Sequence, residues 1–292
     1  MFDIHTHFFP ANVSANPEAW ATDRKELYWA KLVGKRPDGK KSLQGFPSEE
    51  KFIADMDNAG ISRAVIQGWY WQHSKTCVEQ NAQIMRFVKK YPNRLSAFAS
   101  VQPAEKQAIE IAKSARENGF CGLGELHDGV QNFLYESDIF EKILEIAATD
   151  KLSICLHITE NSERNYLGKT KTNTQKAIEI VKMHKNVNFI FAHWCGNLAF
   201  ENQELFADVN NVFFDCAASQ FTAPKDIFQT ASNSQLLIDK TIYGSDYPLI
   251  LYPKLFDKEE MKTSVDFAQQ NASKKFAKNL FTNNFLKVIN YI

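Results

Sequence analysis

A small set of histidines and acids stands out by type and spacing. His5 and His7 flank Thr6 near the start, Glu125 precedes His127 by two residues, His157 and His193 stand alone, and Asp246 ends Gly244-Ser245-Asp246. Residues i and i+2 of a strand share a face, so His5 and His7 can point at one cation. Neutral imidazole nitrogens suit zinc and related transition metals, and a carboxylate completes a catalytic site that keeps one position open for water. Taken singly, each signal is weak. An isolated HxH is more often two solvated histidines, a lone His157 or His193 more often a hydrogen-bonded core residue, and Asp246 alone a turn or cap. Their joint placement at the ends of short apolar runs is what points to a metal site.

Other residues carry less. His73 follows the aromatic run Trp69-Tyr70-Trp71, so His73, Trp69 and Trp71 are candidate substrate contacts; a solvated loop reads equally well for His73. His127 is a spare candidate beside Glu125. Asp215 ends another apolar run, as a partner behind the ligands or a structural residue, and His184 reads as a solvated helix end.

Elements that can bring these residues together follow from periodicity. Strand-like runs occur near Phe2–His5, Ser62–Gly68, Leu95–Val101, Gly119–Leu126, Leu152–His157, Val187–His193, Val212–Ala217 and Thr241–Ser245. Helical patterns lie between them at Ser48–Ala59, Cys77–Lys90, Ala104–Glu117, Glu136–Thr149, Thr172–His184, Asn197–Ala207 and Pro224–Ile238. Most strand runs are continuously apolar, as strands buried on both faces are. Eight such units over about 245 residues predict an α/β fold, the (β/α)8 TIM barrel, whose active sites gather at the C-terminal ends of the strands. A doubly wound nucleotide-binding sheet is disfavoured, because Gly119, Gly122 and Gly124 do not spell GxGxxG.

Two segments depart from the repeat within this single domain of residues 1–292. Residues 8–47 form a lid-like insertion carrying Trp20, Tyr28 and Trp29, with seven basic against three acidic residues between Ala21 and Lys41. Its aromatics can wall off solvent and its charge can attract an anionic substrate; a merely solvated loop is the equal alternative. Residues 253–292 form a C-terminal helical extension.

Composition narrows the class. With 34 basic and 34 acidic residues the chain is formally neutral, which argues against nucleic-acid or anionic-membrane partners. No apolar run reaches the roughly 18 residues of a membrane span. Five scattered cysteines without a CxxC pair, and no visible signal peptide, predict a cytoplasmic protein without disulfides. A homo-oligomer is compatible with all of this.

The sequence resembles the amidohydrolase superfamily, in its amidohydrolase-related (amidohydrolase 2) branch. The matching stretches are Asp3-Ile4-His5-Thr6-His7, Asp57-Asn58-Ala59-Gly60-Ile61, Leu156-His157, Ala192-His193, Gly244-Ser245-Asp246-Tyr247-Pro248 and Asn279-Leu280-Phe281-Thr282-Asn283-Asn284. The resemblance implies one divalent metal, zinc, held by His5, His7, His157 and Asp246. Asp246 doubles as the proton shuttle and His193 polarises a substrate carbonyl. Glu125 is open between a substrate contact and a ligand of a second metal, as in TatD-like nucleases. The implied reaction is hydrolysis of a small-molecule ester, lactone or amide. Alternatives are non-oxidative decarboxylation of an unsaturated or aromatic acid, a TatD-like nuclease, and an inactive binding protein.

Overall fold

Eight parallel strands run side by side in sequence order. The computed structural model describes residues 1–35, 39, 41–163, 166–220, 226–250 and 256–289. The strands are β1 (Phe2–Thr6), β2 (Arg63–Ile66), β3 (Leu95–Ala99), β4 (Gly122–Leu126), β5 (Ser153–Leu156), β6 (Phe189–Phe191), β7 (Val212–Asp215) and β8 (Thr241–Ile242). The chain beyond β8 meets β1: Ile4 N donates to Tyr243 O (2.9 Å) and Asp246 N to His5 O (2.9 Å). The ring is therefore the expected (β/α)8 barrel.

Burial on both faces explains the apolar strands. Val65, Phe98, Ile190 and Phe213 cluster with Ile4 and Ile242 inside the ring. Ile66, Ile154, Phe189 and Phe214 instead pack against outer-helix residues such as Phe52, Phe87 and Phe140. The outer helices start and stop where local chemistry directs. Ser48 caps Glu49–Ala59 by accepting from Lys51 N (3.2 Å), and Gly60 closes it at φ 70°.

Several strands are shorter than expected, β8 ending at Ile242 and β5 at Leu156, and three further departures are larger. The expected helix Asn197–Ala207 is broken into Leu198–Glu201 and a 3₁₀ turn Gln203–Phe206, because Asn202 leaves helical geometry (φ −147°, ψ 73°). The expected helix Pro224–Ile238 divides into Ile227–Ser232 and Gln235–Lys240, with Ser234 capping the second through Leu237 N (3.3 Å); residues 224–225 lie outside the described residues. β6 ends at Phe191, so His193 is not on the strand. It opens a left-handed turn through His193, Trp194 and Cys195 (φ 59°, 50° and 57°).

Among its described residues the insertion carries three short helices, Ala11–Ser14, Pro17–Asp23 and Leu27–Val33. Trp20 and Trp29 are buried in a cluster with Trp69 and Trp71 rather than walling the barrel mouth. Arg24, the first basic residue of the surplus, pairs with Glu79 (2.8 Å) and lies over Trp20 (4.3 Å). Arg36 and Lys40 of that surplus lie outside the described residues. At the other end of the chain, Phe285, Val288 and Ile289 plug the floor of the barrel against its inner cluster. Residues 253–255 and 290–292 of the extension lie outside the described residues.

All five cysteines are buried and free. His184 faces Glu141 (3.2 Å), so this helix end is paired rather than simply solvated. No helix among the described residues is long and apolar enough to cross a membrane.

Candidate active site

β1 and β4 both lose regular register at the site, between Asp3 and Thr6 and between Leu123 and Leu126. Such irregularities re-aim side chains, and here they sit beside His5 and Glu125. Glycine is required next to Glu125: Gly124 has φ 130°, and a Cβ on it would lie 2.5 Å from Cys155 O. Gly68 packs against the same place, its carbonyl accepting from Glu125 N (2.5 Å).

The first cluster combines β1 with the ends of β4, β7 and β8. The Nε2 atoms of His5 and His7 are 3.1 Å apart. Glu125 Oε2 lies 3.6 Å from the first and 3.9 Å from the second, and Asp246 Oδ1 lies 3.8 and 3.5 Å away. Behind the cluster His5 Nδ1 donates to Asp215 Oδ2 (2.8 Å), turning Nε2 inward. Two nitrogens each about 2.0–2.1 Å from one ion stand about 3 Å apart at cis or tetrahedral angles. Burial opposes charge on His5, yet the carboxylates of Asp215 and Glu125 raise its pKa well above the ordinary value. The cluster thus draws in positive charge. Its donor set and spacing fit a divalent cation.

The second cluster faces the other oxygen of Glu125. His157 Nδ1 lies 2.8 Å from Glu125 Oε1, and His193 Nε2 lies 3.2 Å from His157 Nδ1 and 3.7 Å from that oxygen. His193 Nδ1 is 2.7 Å from the carbonyl of Ala217. A carbonyl only accepts, so Nδ1 carries the proton and Nε2 presents a lone pair. Burial and the neighbouring His157 lower the His193 pKa, which favours this neutral form. Neutral His193 therefore accepts at Nε2, where the expected polariser of a carbonyl needs to donate. Burial opposes charge on Glu125, but His157 and His5 hold its carboxyl well below the usual range. Asp246 is also held low: burial opposes its charge, and His7, His5 and His193 outweigh it.

Six of the expected site residues thus meet, in an arrangement of two histidine pairs. His157 is drawn to Glu125 and His193 rather than grouped with His5 and His7. His127 stacks flat on His157 (ring centroids 4.7 Å apart, 7°), and burial keeps it neutral.

A cavity of about 640 Å³ opens onto His157, His193 and Asp246. Trp69 and Tyr70 form one wall, stacked at 4.3 Å. Trp71 and His73 do not line it. Trp71 is buried behind Trp69, and half-exposed His73 stands 3.5 Å from Glu105 at the start of the helix Ser74–Lys90. Tyr28 of the insertion reaches the cavity and donates to Gly168 O (2.7 Å). Glu160 accepts from Ser162 Oγ (3.0 Å), Tyr166 OH (2.7 Å) and Lys169 Nζ (3.0 Å), which engages the lysine of the cavity wall. Sequence reasoning missed Tyr70 as a lining residue, although its place between two chosen tryptophans was the available signal; of the insertion's three aromatics expected to wall off solvent, Tyr28 is the one that reaches the cavity.

The sequence model of the amidohydrolase family matches residues 2–284. No curated protein matches the chain in sequence. Solved structures share the fold at low identity. One is a 5-carboxyvanillate decarboxylase from Novosphingobium aromaticivorans, complexed with manganese and 4-hydroxy-3-methoxy-5-nitrobenzoic acid. It is 14% identical with a TM-score of 0.74, over 99% of this chain and 96% of that one. A 2,6-dihydroxybenzoate decarboxylase complexed with 2,6-dihydroxybenzoate is 12% identical, with a TM-score of 0.67 over 99% of each chain. A probable 2-pyrone-4,6-dicarboxylic acid hydrolase from Acinetobacter baumannii is 12% identical, with a TM-score of 0.65 over 99% of each chain.

Proposed function

The chain belongs to the amidohydrolase family, and from that premise we propose that it hydrolyses a small-molecule ester, lactone or amide at a site for divalent cations. The observation carrying this reading is the placement of Glu125 between two histidine pairs spaced at 3.1 and 3.2 Å. His5, His7, Asp246 and Glu125 would hold one cation, and Glu125, His157 and His193 would hold a second. When bound, such cations would lower the pKa of water and polarise a carbonyl oxygen. A paired site of this kind suits the activation of a water for attack, which favours hydrolysis.

The protein's own groups divide the remaining work. Asp246, ionised and lining the cavity, accepts a proton from the attacking water and returns it to the leaving group. His193 contributes a lone pair at Nε2, held in that orientation by the Ala217 carbonyl. Trp69 and Tyr70 form an apolar wall for the substrate's flat face and keep solvent from it.

A second reading, decarboxylation of a carboxylated aromatic, is supported by the ligands bound to the two decarboxylases and by this aromatic wall. Metal analysis together with a screen of lactones, esters, amides and carboxylated aromatics separates the two. Hydrolysis predicts about two cations per chain and a new acid group without CO₂. Release of CO₂ without consumption of water assigns the second reading.

A further inference from the structure

A second, far smaller cavity of about 10 Å³ is lined by His7, Gln67, Trp71 and Gln80 and closed by Trp69 and by phenylalanine and isoleucine side chains. Each of these four residues carries a buried polar atom without a hydrogen-bond partner: His7 Nδ1, Gln67 Oε1, Trp71 Nε1 and Gln80 Nε2. None of the four residues is more than 3% exposed. Buried polar groups almost always find a partner, and cavities that stay dry are apolar. A cavity accepts a water when it offers about 10–15 Å³ and two to four polar contacts. Both conditions are met here.

We infer that this cavity is a one-water site whose bound water fixes the ring of His7. The inference rests on the reading of His7 as a cation ligand. A neutral imidazole that binds through Nε2 carries its proton on Nδ1, and that N–H needs an acceptor. His5 has Asp215 for this purpose and His193 has the Ala217 carbonyl. For His7 Nδ1 no protein atom among the described residues serves. The water accepts from His7 Nδ1–H and from Gln80 Nε2 or Trp71 Nε1, and donates to Gln67 Oε1. Gln67 is itself anchored, its Nε2 donating to Ile4 O (2.8 Å). Whichever of Gln80 and Trp71 donates is thereby a positioning residue that acts on the cation site through solvent. Trp71 belongs behind the ligand rather than against the substrate.

Two measurements on the full-length protein test this. A high-resolution crystal structure is expected to show one ordered water within about 2.7–3.2 Å of both His7 Nδ1 and Gln67 Oε1. A dry cavity, or a water that does not touch His7, overturns the inference. The variants Gln80→Met and Trp71→Phe remove the two candidate donors with little change of volume. In the variant that loses the actual donor, the zinc dissociation constant, measured by chelator competition, is expected to rise about 10–100-fold, the usual effect of losing a partner behind a ligating histidine. In ¹⁵N-histidine spectra of that zinc-loaded variant, the His7 Nδ1–H signal should lose its protection from exchange. Wild-type affinity with a still-protected Nδ1–H in both variants overturns the positioning role, and Gln67→Met, which removes the water's acceptor, is read in place of Trp71→Phe if that variant fails to fold. If the wild-type protein binds no zinc, the metal reading fails separately, and the crystallographic water still decides this one.

Discussion

Asp215 holds two parts of the site with one carboxylate. Oδ2 accepts from His5 Nδ1 (2.8 Å), while Oδ1 accepts from the backbone N–H groups of His193 and Ala217 (3.0 Å each). It thereby couples the orientation of a first-cluster histidine to the left-handed turn that presents His193. Asp215→Asn retains an oxygen for the backbone contacts but loses the charge that favours the Nδ1–H form of His5. Metal affinity is expected to fall about 10–100-fold, read by chelator competition, with the barrel still folded. Asp246→Asn isolates the other carboxylate function, since the amide keeps the shape but accepts no proton. Its kcat is expected to drop about 10²–10⁴-fold, and steady-state rates at saturating metal check this. Full activity in that variant assigns Asp246 a purely structural place.

Between strands, the site depends on close backbone approach. A Cβ at Gly68 would meet Ser100 N at 2.5 Å and Gly124 O at 2.6 Å, and one at Gly124 would meet Cys155 O at 2.5 Å. These contacts let the ends of β2, β4 and β5 converge and set Glu125 between the histidine pairs. Gly124→Ala combines that overlap with an unfavourable positive φ. It is expected to cost about 1–3 kcal/mol from overpacking alone, seen as a lower Tm, and to weaken metal binding by displacing Glu125. An alanine variant with wild-type Tm and metal affinity would show that the strand ends can part freely. The insertion acts at this scale too. Its tryptophans anchor it to the barrel's own Trp69 and Trp71, and Tyr28 ties it to the segment following β5 through Gly168. It is therefore packed as part of the cavity wall, in contrast to a loose solvated loop.

For the molecule as a whole, carboxylates and histidines are concentrated in a buried mouth, so stability and cation binding are linked. A ligand that binds only the folded state adds RT ln(1 + [L]/Kd), about 2.7 kcal/mol at a hundredfold excess over Kd. Chelation is expected to lower Tm by several degrees, and re-addition of zinc or manganese to restore it. Calorimetry with and without chelator checks this. A Tm indifferent to metal counts against a cation site in the folded barrel.

Much of this architecture was legible before folding because it rests on local chemistry. Continuous apolar runs spaced by amphipathic helices dictate doubly covered parallel strands, and residues at those strand ends must meet once the ring closes. His5, His7, Glu125, His157, His193 and Asp246 are candidates on that ground. Tertiary structure alone decided how they divide. The carbonyl of Ala217 chooses the tautomer of His193, and the two oxygens of Glu125 choose which histidines pair, contacts that join positions far apart in sequence. Trp71 and His73 were proposed as substrate contacts from proximity to Trp69 along the chain. Direction along the backbone cannot say which ring faces a cavity and which faces the core. Helix breaks at Asn202 and at Ser234 were masked because apolar residues continue across both, although the Ser234 cap is itself local chemistry.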